Sequence, residues 1–147
     1  FGQEKHFYEV SCMNTAFRTK APFASTLPGL YYYDPAIYVQ EQEHIFSKMW
    51  VYACRADALP APGSYQVASI AGESIVIVCN KGGMLQAFLN VCRHRGARLC
   101  NLQSGQLKGS IQCRYHAWTY ALDGQLIGAP NVLREVEFDR TAYGLVP

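Results

Sequence analysis

No run of apolar residues in this sequence approaches the ~18 needed to cross a membrane, and the opening FGQEKHFYEV lacks the basic-then-apolar shape of a secretory signal. Neither a membrane span nor export is expected, and the chain reads as cytoplasmic. Charge is scarce as well. Charged residues make up 16% of the chain, against the ~25% usual for soluble proteins, and the net charge is only +2. So small a balance gives no general grounds for a nucleic-acid or membrane partner. It is instead what a chain shows when another subunit or domain covers part of its surface. There is no internal repeat, no low-complexity segment and no phosphate-cradling glycine loop. The first residue is Phe1 rather than methionine, as expected of a processed chain or a piece of a longer one.

Cysteine, by contrast, is plentiful. The spacing of Cys12, Cys54, Cys79, Cys92, Cys100 and Cys113 suits no small disulfide scaffold, and a reduced chain with a metal site fits it better. A length of 147 residues suits one compact domain with a sizeable core. Residues 1–30, punctuated by Pro22, Pro28 and Gly29, show neither helical nor strand period and read as an extended N-terminal arm. DPAIYVQEQEHIFSKMW then places Asp34 as N-cap and Pro35 at the first helical position. Ile37, Tyr38, Ile45, Phe46 and Met49 follow at helical spacing, predicting one amphipathic helix over about 34–49. Beyond ALPAPGS the texture becomes β-branched and aromatic. YQVASIA, SIVIVC and MLQAFLNV, separated by short turns, predict an antiparallel meander. GSIQC reads as a further short strand, and the Asp123-Gly124 pair inside WTYALDGQLIG marks a tight hairpin.

Four residues stand out: Cys92-x-His94, then eighteen intervening residues, then Cys113-x-x-His116, each pair just after a strand-like run. Two loops at neighbouring strand ends bring such residues to one point. Soft thiolates with borderline imidazoles suit tetrahedral zinc or an iron–sulfur centre, and composition does not separate the two. Spacing favours the second, because zinc loops often repeat one ligand type whereas these pairs are mixed. A [2Fe–2S] centre with two histidines on one iron uses mixed pairs naturally.

At this point CRHRG and CRYHAWTYALDGQL resemble the two binding loops of the Rieske [2Fe–2S] family, specifically the domain of the Rieske non-haem iron oxygenases. The helix and the GSYQV and VIV strands are similar to the lead-in of oxygenase α subunits, so the likeness covers about residues 28–147. It implies a mostly β fold: a Rieske-type antiparallel β-sandwich with cluster-binding loops and one N-terminal α-helix, spanning 31–147. It also implies that Cys92 and Cys113 hold the buried iron of a [2Fe–2S] cluster and that His94 and His116 hold the outer one. Two neutral imidazoles in place of two thiolates make the cluster less negative and raise its potential. Cytochrome bc-type Rieske proteins carry a further cysteine in each loop. Here Arg114 and Tyr115 fill the second loop and nothing there partners Cys100, so the lower-potential oxygenase type is the better match. Implied partners are a reductase or ferredoxin as electron donor, a catalytic domain of the same or a neighbouring α subunit, and further copies in a homo-oligomer. A mononuclear Fe(II) is expected only in that catalytic domain, where O2 and an organic substrate react by mono- or dioxygenation. The alternatives are a zinc-stapled binding module and a free-standing Rieske ferredoxin, the latter disfavoured by the arm and helix. Two departures are visible. The gap is one residue longer than is usual in the family, which falls on the tip at 104–108 and not on the ligands. Ala117 stands where the family mostly has glycine and is expected to need only an ordinary φ.

Arg93, Arg95, Arg98 and Arg114 surround the ligands, either as a solvated basic rim or as a guide for an acidic carrier. Arg95, Tyr115 and Trp118 are candidates for a supporting role next to the ligands, with packing the favoured role for Tyr115 and Trp118 over a hydrogen bond toward the cluster. Cys12, Cys54, Cys79 and Cys100 are expected to be small core hydrophobes. Glu41-x-x-His44 has the spacing of an iron-binding helix pair, but a second histidine and further carboxylates are missing, since only His6 remains. Tyr31, Tyr32 and Tyr33 fit core or interface equally.

Overall fold

The computed structural model describes residues 26–130, 132 and 138–147. Most of the expected arm over 1–30, with His6 and Cys12, lies outside the described residues. The chain divides into two compact units, Phe1–Asp34 and Pro35–Pro147. In the first, the described portion contains a 3-10 turn over Gly29–Tyr32.

The second unit opens with α1, Pro35–Glu41, and here the expectation of one helix over about 34–49 needs correction. The α-helical bonds stop at Glu41, and Gln42–Phe46 continues as a wider π turn. Ser47 donates its N–H to Gln42 O at 3.1 Å, five residues back, and its hydroxyl to Glu43 O at 2.7 Å. A serine that bonds back to the preceding turn competes with the α ladder and lets it widen. Tyr38, Ile45, Phe46 and Met49 remain exposed.

Seven strands follow: β1 Ser64–Ile70, β2 Glu73–Cys79, β3 Leu85–Leu89, β4 Ser104–Gln106, β5 Ser110–Gln112, β6 Thr119–Ala121 and β7 Leu126–Gly128. They form two antiparallel sheets, ordered β3-β2-β1-β4 and β5-β6-β7. The meander read from the sequence is β1–β2–β3, in the register Val67↔Val76 and Val76↔Phe88. Strand β2 is apolar without alternation because both of its faces are covered. Val76 and Val78 enter the main core, whereas Ile77 and Cys79 pack with Leu59, Ala53 and Cys54. In the main core Tyr65, Val76, Val78 and Phe88 of the first sheet meet Ile111, Tyr120, Leu122 and Leu126 of the second region. Cys92 and Cys113 belong to that same core. The fold is the expected mostly β architecture of two antiparallel sheets with one short helix.

Two devices hold the sheets in place. The Asp123-Gly124 turn forms as expected, with Gly124 at φ +86° and its N–H donated to Ala121 O at 3.0 Å. A Cβ on Gly124 would lie 2.6 Å from the Phe88 ring, so only glycine lets the second sheet approach the first here. The C-terminal segment then bridges them: Leu145 donates to Gly124 O at 2.8 Å, and Leu89 of β3 donates to Val146 O at 2.9 Å.

Candidate metal centre

The two Cys/His loops are built alike. In the first, the Cys92 N–H donates to Ala97 O at 2.8 Å and the Gly96 N–H donates to Cys92 O at 3.0 Å. In the second, the Cys113 N–H donates to Trp118 O at 2.8 Å and the Ala117 N–H donates to Cys113 O at 3.0 Å. The offsets from each cysteine are the same, although histidine is two residues on in one loop and three in the other. Between a residue whose N–H points back and one whose carbonyl returns, the chain must reverse, which needs a left-handed residue at the fourth position. Gly96 takes it at φ +69° and Ala117 at φ +55°. The expectation of an ordinary φ at Ala117 is therefore wrong.

Each loop is also clamped at its base. The buried Asn90 side chain donates to Cys100 O and accepts from Cys100 N–H, both at 2.8 Å, imitating a strand pair below the bridge between Val91 and Arg98. The second loop stands on the Gln112↔Thr119 pair, where Gln112 donates to the Thr119 hydroxyl at 3.1 Å.

Clamped in this way, the loops converge. The rings of His94 and His116 lie 4.8 Å apart, centre to centre. Cys92 and Cys113 are 2% and 3% exposed, while both histidines are half-buried, so the sulfurs lie deep and the imidazoles nearer the surface. Nδ1 of His116 is buried with no hydrogen-bond partner among the described residues. A buried imidazole nitrogen without a partner is costly unless something else takes its lone pair, and a metal does. Burial first, then His116 and Arg95, hold the His94 imidazole below its ordinary value and favour the neutral, ligating form. Two buried thiols, two imidazoles 4.8 Å apart and the unpartnered Nδ1 of His116 form a mixed donor set that fits a [2Fe–2S] centre.

The neighbours sort themselves. Trp118 is buried and stacks on His94 at 4.8 Å and 9°, with Phe138 and Tyr143 edge-on behind it, so packing is its role. Tyr115 is exposed and leans on His116 at 3.8 Å. Contact with the Cys92 sulfur comes instead from Tyr120, which the sequence reading did not single out. Its hydroxyl lies 3.3 Å from Cys92 Sγ and accepts from the Arg93 N–H at 3.0 Å. Because that oxygen already accepts from Arg93, its own proton is free to point at the sulfur. Burial, then the Cys92 contact, push the phenol well above its ordinary value, so it stays a protonated donor. The signal was present: Tyr120 in β6 and Trp118 and Leu122 on either side of that strand alternate inward, and a phenol aimed into a core needs a partner.

Arg93, Arg95, Arg98 and Arg114 are all exposed, and Arg93 reaches Ala142 O at 3.4 Å. Among the described residues the one ion pair is Arg55–Asp57, away from the loops in sequence. Cys54, Cys79 and Cys100 are free thiols, the last two buried. His44 is exposed on the π turn, with no metal-binding group gathered around it among the described residues. No helix among the described residues is long and apolar enough to cross a membrane.

The chain is similar to known proteins in sequence and in fold. The chain is 40% identical over 124 residues to the carnitine monooxygenase oxygenase subunit of Acinetobacter baumannii, a match over 84% of this chain and 33% of that protein. It is 39% identical over 122 residues to the glycine betaine monooxygenase oxygenase subunit of Chromohalobacter salexigens, a match over 83% of this chain and 27% of that protein. The crystal structure of the apo quaternary ammonium Rieske monooxygenase CntA superimposes with a TM-score of 0.78 at 39% identity, covering 83% of this chain and 35% of that one. The chain thus spans about a third of the length of these relatives. The Rieske [2Fe-2S] domain family matches residues 49–138, which takes in both loops and both sheets, and this chain belongs to that family.

Proposed function

We propose that Cys92 and Cys113 hold one iron of the [2Fe–2S] cluster and His94 and His116 the other, and that the domain relays single electrons within a multicomponent oxygenase. The observation that carries the ligand assignment is the convergence of two identically bonded loops on two buried thiols and a buried, partnerless imidazole nitrogen. When bound, the cluster supplies one-electron redox chemistry at a potential raised by the two neutral imidazoles. The chain's own residues do the rest. Trp118 holds the plane of His94, Tyr120 donates to Cys92 Sγ, and the half-buried histidine side faces the surface from which an electron arrives or departs. A reductase or ferredoxin is the donor, and its docking depends on the arginine rim.

The acceptor is a mononuclear iron in a catalytic domain of the same or a neighbouring subunit. The exposed Tyr38, Phe46, Met49 and Trp50 support a surface that such a domain covers. The whole oxygenase oxidises quaternary ammonium compounds, a reading supported by the likeness to carnitine and glycine betaine monooxygenase subunits. The ligand assignment is tested by metal and sulfide analysis with visible absorption. Two irons and two acid-labile sulfides per chain, lost in His94→Ala and in Cys113→Ala, are expected. A colourless chain with one zinc overturns it.

A further inference from the structure

Resting on the electron-relay reading, one surface on this domain goes further than a general basic rim. From Ser74 to Leu122 the chain carries six of its thirteen basic residues and none of its eleven acidic ones. Two of the six, Lys108 and Arg114, line a cavity of about 580 Å³ together with Tyr65, Leu99, Leu102 and Leu107. Arg114 directly follows Cys113, so the cavity wall continues along the chain into the second Cys/His loop.

The wall is rigid. Tyr65↔Gly105 pairing fixes β4, and the Tyr65 ring lies so close to Gly105 that an added Cβ would be 2.8 Å from it. Gln106 is tied to Pro62 O at 2.7 Å and Leu107 to Gly63 O at 2.8 Å. Arg114 and Lys108 both line this cavity, on the side of the chain that carries Ser110 and Gln112 of β5. At the mouth, Leu102 is 67% exposed. Two cations without a carboxylate partner among the described residues, around an apolar floor, match a carboxylate carried next to an apolar side chain.

We infer that this cavity is the docking seat of the electron donor, an acidic one-electron carrier protein that inserts an apolar side chain against Leu102 and Leu107 while its carboxylates meet Lys108 and Arg114. One electron leaves the reduced centre of the donor, which is oxidised, and enters the [2Fe–2S] centre, which is reduced; no bond is made or broken. Arg114 of the arginine rim, with Lys108 beside it in the cavity lining, supplies the docking charges.

The test is stopped-flow reduction of the cluster-loaded chain by a reduced, acidic plant-type ferredoxin, at low and at high salt, with dithionite as a small reductant that needs no docking seat. Lys108→Glu is expected to slow reduction by ferredoxin roughly tenfold at low salt and far less at high salt, because rim charges act chiefly on association and are screened. Leu102→Asp is expected to slow it several-fold at both salt levels. Lys81→Glu, on the β2–β3 turn and outside the cavity lining, changes the net charge equally and is expected to stay within about twofold of the parent, which separates local docking from global steering. Parental rates in Lys108→Glu and Leu102→Asp, or equal slowing by Lys81→Glu, overturn the seat while leaving the relay intact. A chain that dithionite cannot reduce takes down the relay reading and the seat with it.

Discussion

Ala117→Gly is expected to stabilise this protein, against the general rule that glycine loosens a fold. Ala117 sits at φ +55°, held there by its own N–H on Cys113 O and by the Thr119 hydroxyl on its carbonyl at 2.9 Å. A left-handed conformation costs an L-residue roughly 1–2 kcal/mol, and glycine escapes that cost. Glycine in turn gives the unfolded chain about 0.4–1 kcal/mol of extra freedom. The difference is a net gain of about 0.5–1 kcal/mol, or a rise in Tm of about 2–4 °C for a chain of this size. The first loop supplies the reciprocal measurement. Gly96 has φ +69°, and an added Cβ there would meet nothing within 4 Å, so Gly96→Ala costs conformational energy alone. It should lose what Ala117→Gly gains, and the double exchange should return close to the parent. Thermal unfolding of the cluster-loaded chain under argon ranks the four proteins. A fall in Tm for Ala117→Gly, matching an ordinary glycine penalty, would refute both the left-handed assignment and the equivalence of the loops.

Tyr120→Phe removes a donor from Cys92 Sγ, and the more negative reduced state loses more than the oxidised one. A difference of about 1 kcal/mol lowers a one-electron potential by about 40 mV; protein-film voltammetry showing no fall would disprove the contact. The Cys100 thiol is pushed up to about 11 from an ordinary 9.0, chiefly by burial, so the unfolded chain releases this proton first. Its contribution to stability is full below pH 9 and is lost as pH rises toward about 11, and Cys100→Ala should lose less Tm than the parent over that window. Finally, this chain alone, with reductase, O2 and a panel of quaternary ammonium compounds, is expected to be reduced and slowly reoxidised without product. Oxygenation needs an iron held by two histidines and a carboxylate, and only His6 and His44 remain once His94 and His116 are given to the proposed cluster. Mass spectrometry detecting hydroxylated product from the chain carrying only its [2Fe–2S] iron would contradict this.

Whatever depends on neighbours along the chain was legible in the sequence. Cys92-x-His94 and Cys113-x-x-His116 mark the two loops because spacing within a loop is a short-range property. The meander and the Asp123-Gly124 turn show themselves through strand composition and turn chemistry over a few residues. What lies between distant segments was not legible. Strand β4 is Ser-Gly-Gln, with no strand propensity of its own, and is extended because β1 pairs with it from about forty residues away. Tyr120 reaches Cys92 across 28 residues of sequence, and the cavity between Leu102 and Arg114 exists only once both loops are seated. The φ of Ala117 belongs to the same class: the two bonds that close its loop demand a left-handed residue, and an alanine in print gives no sign of it. Local propensity is written residue by residue, whereas cross-strand pairing, burial and loop closure are energies of contact and acquire values only when the chain has folded.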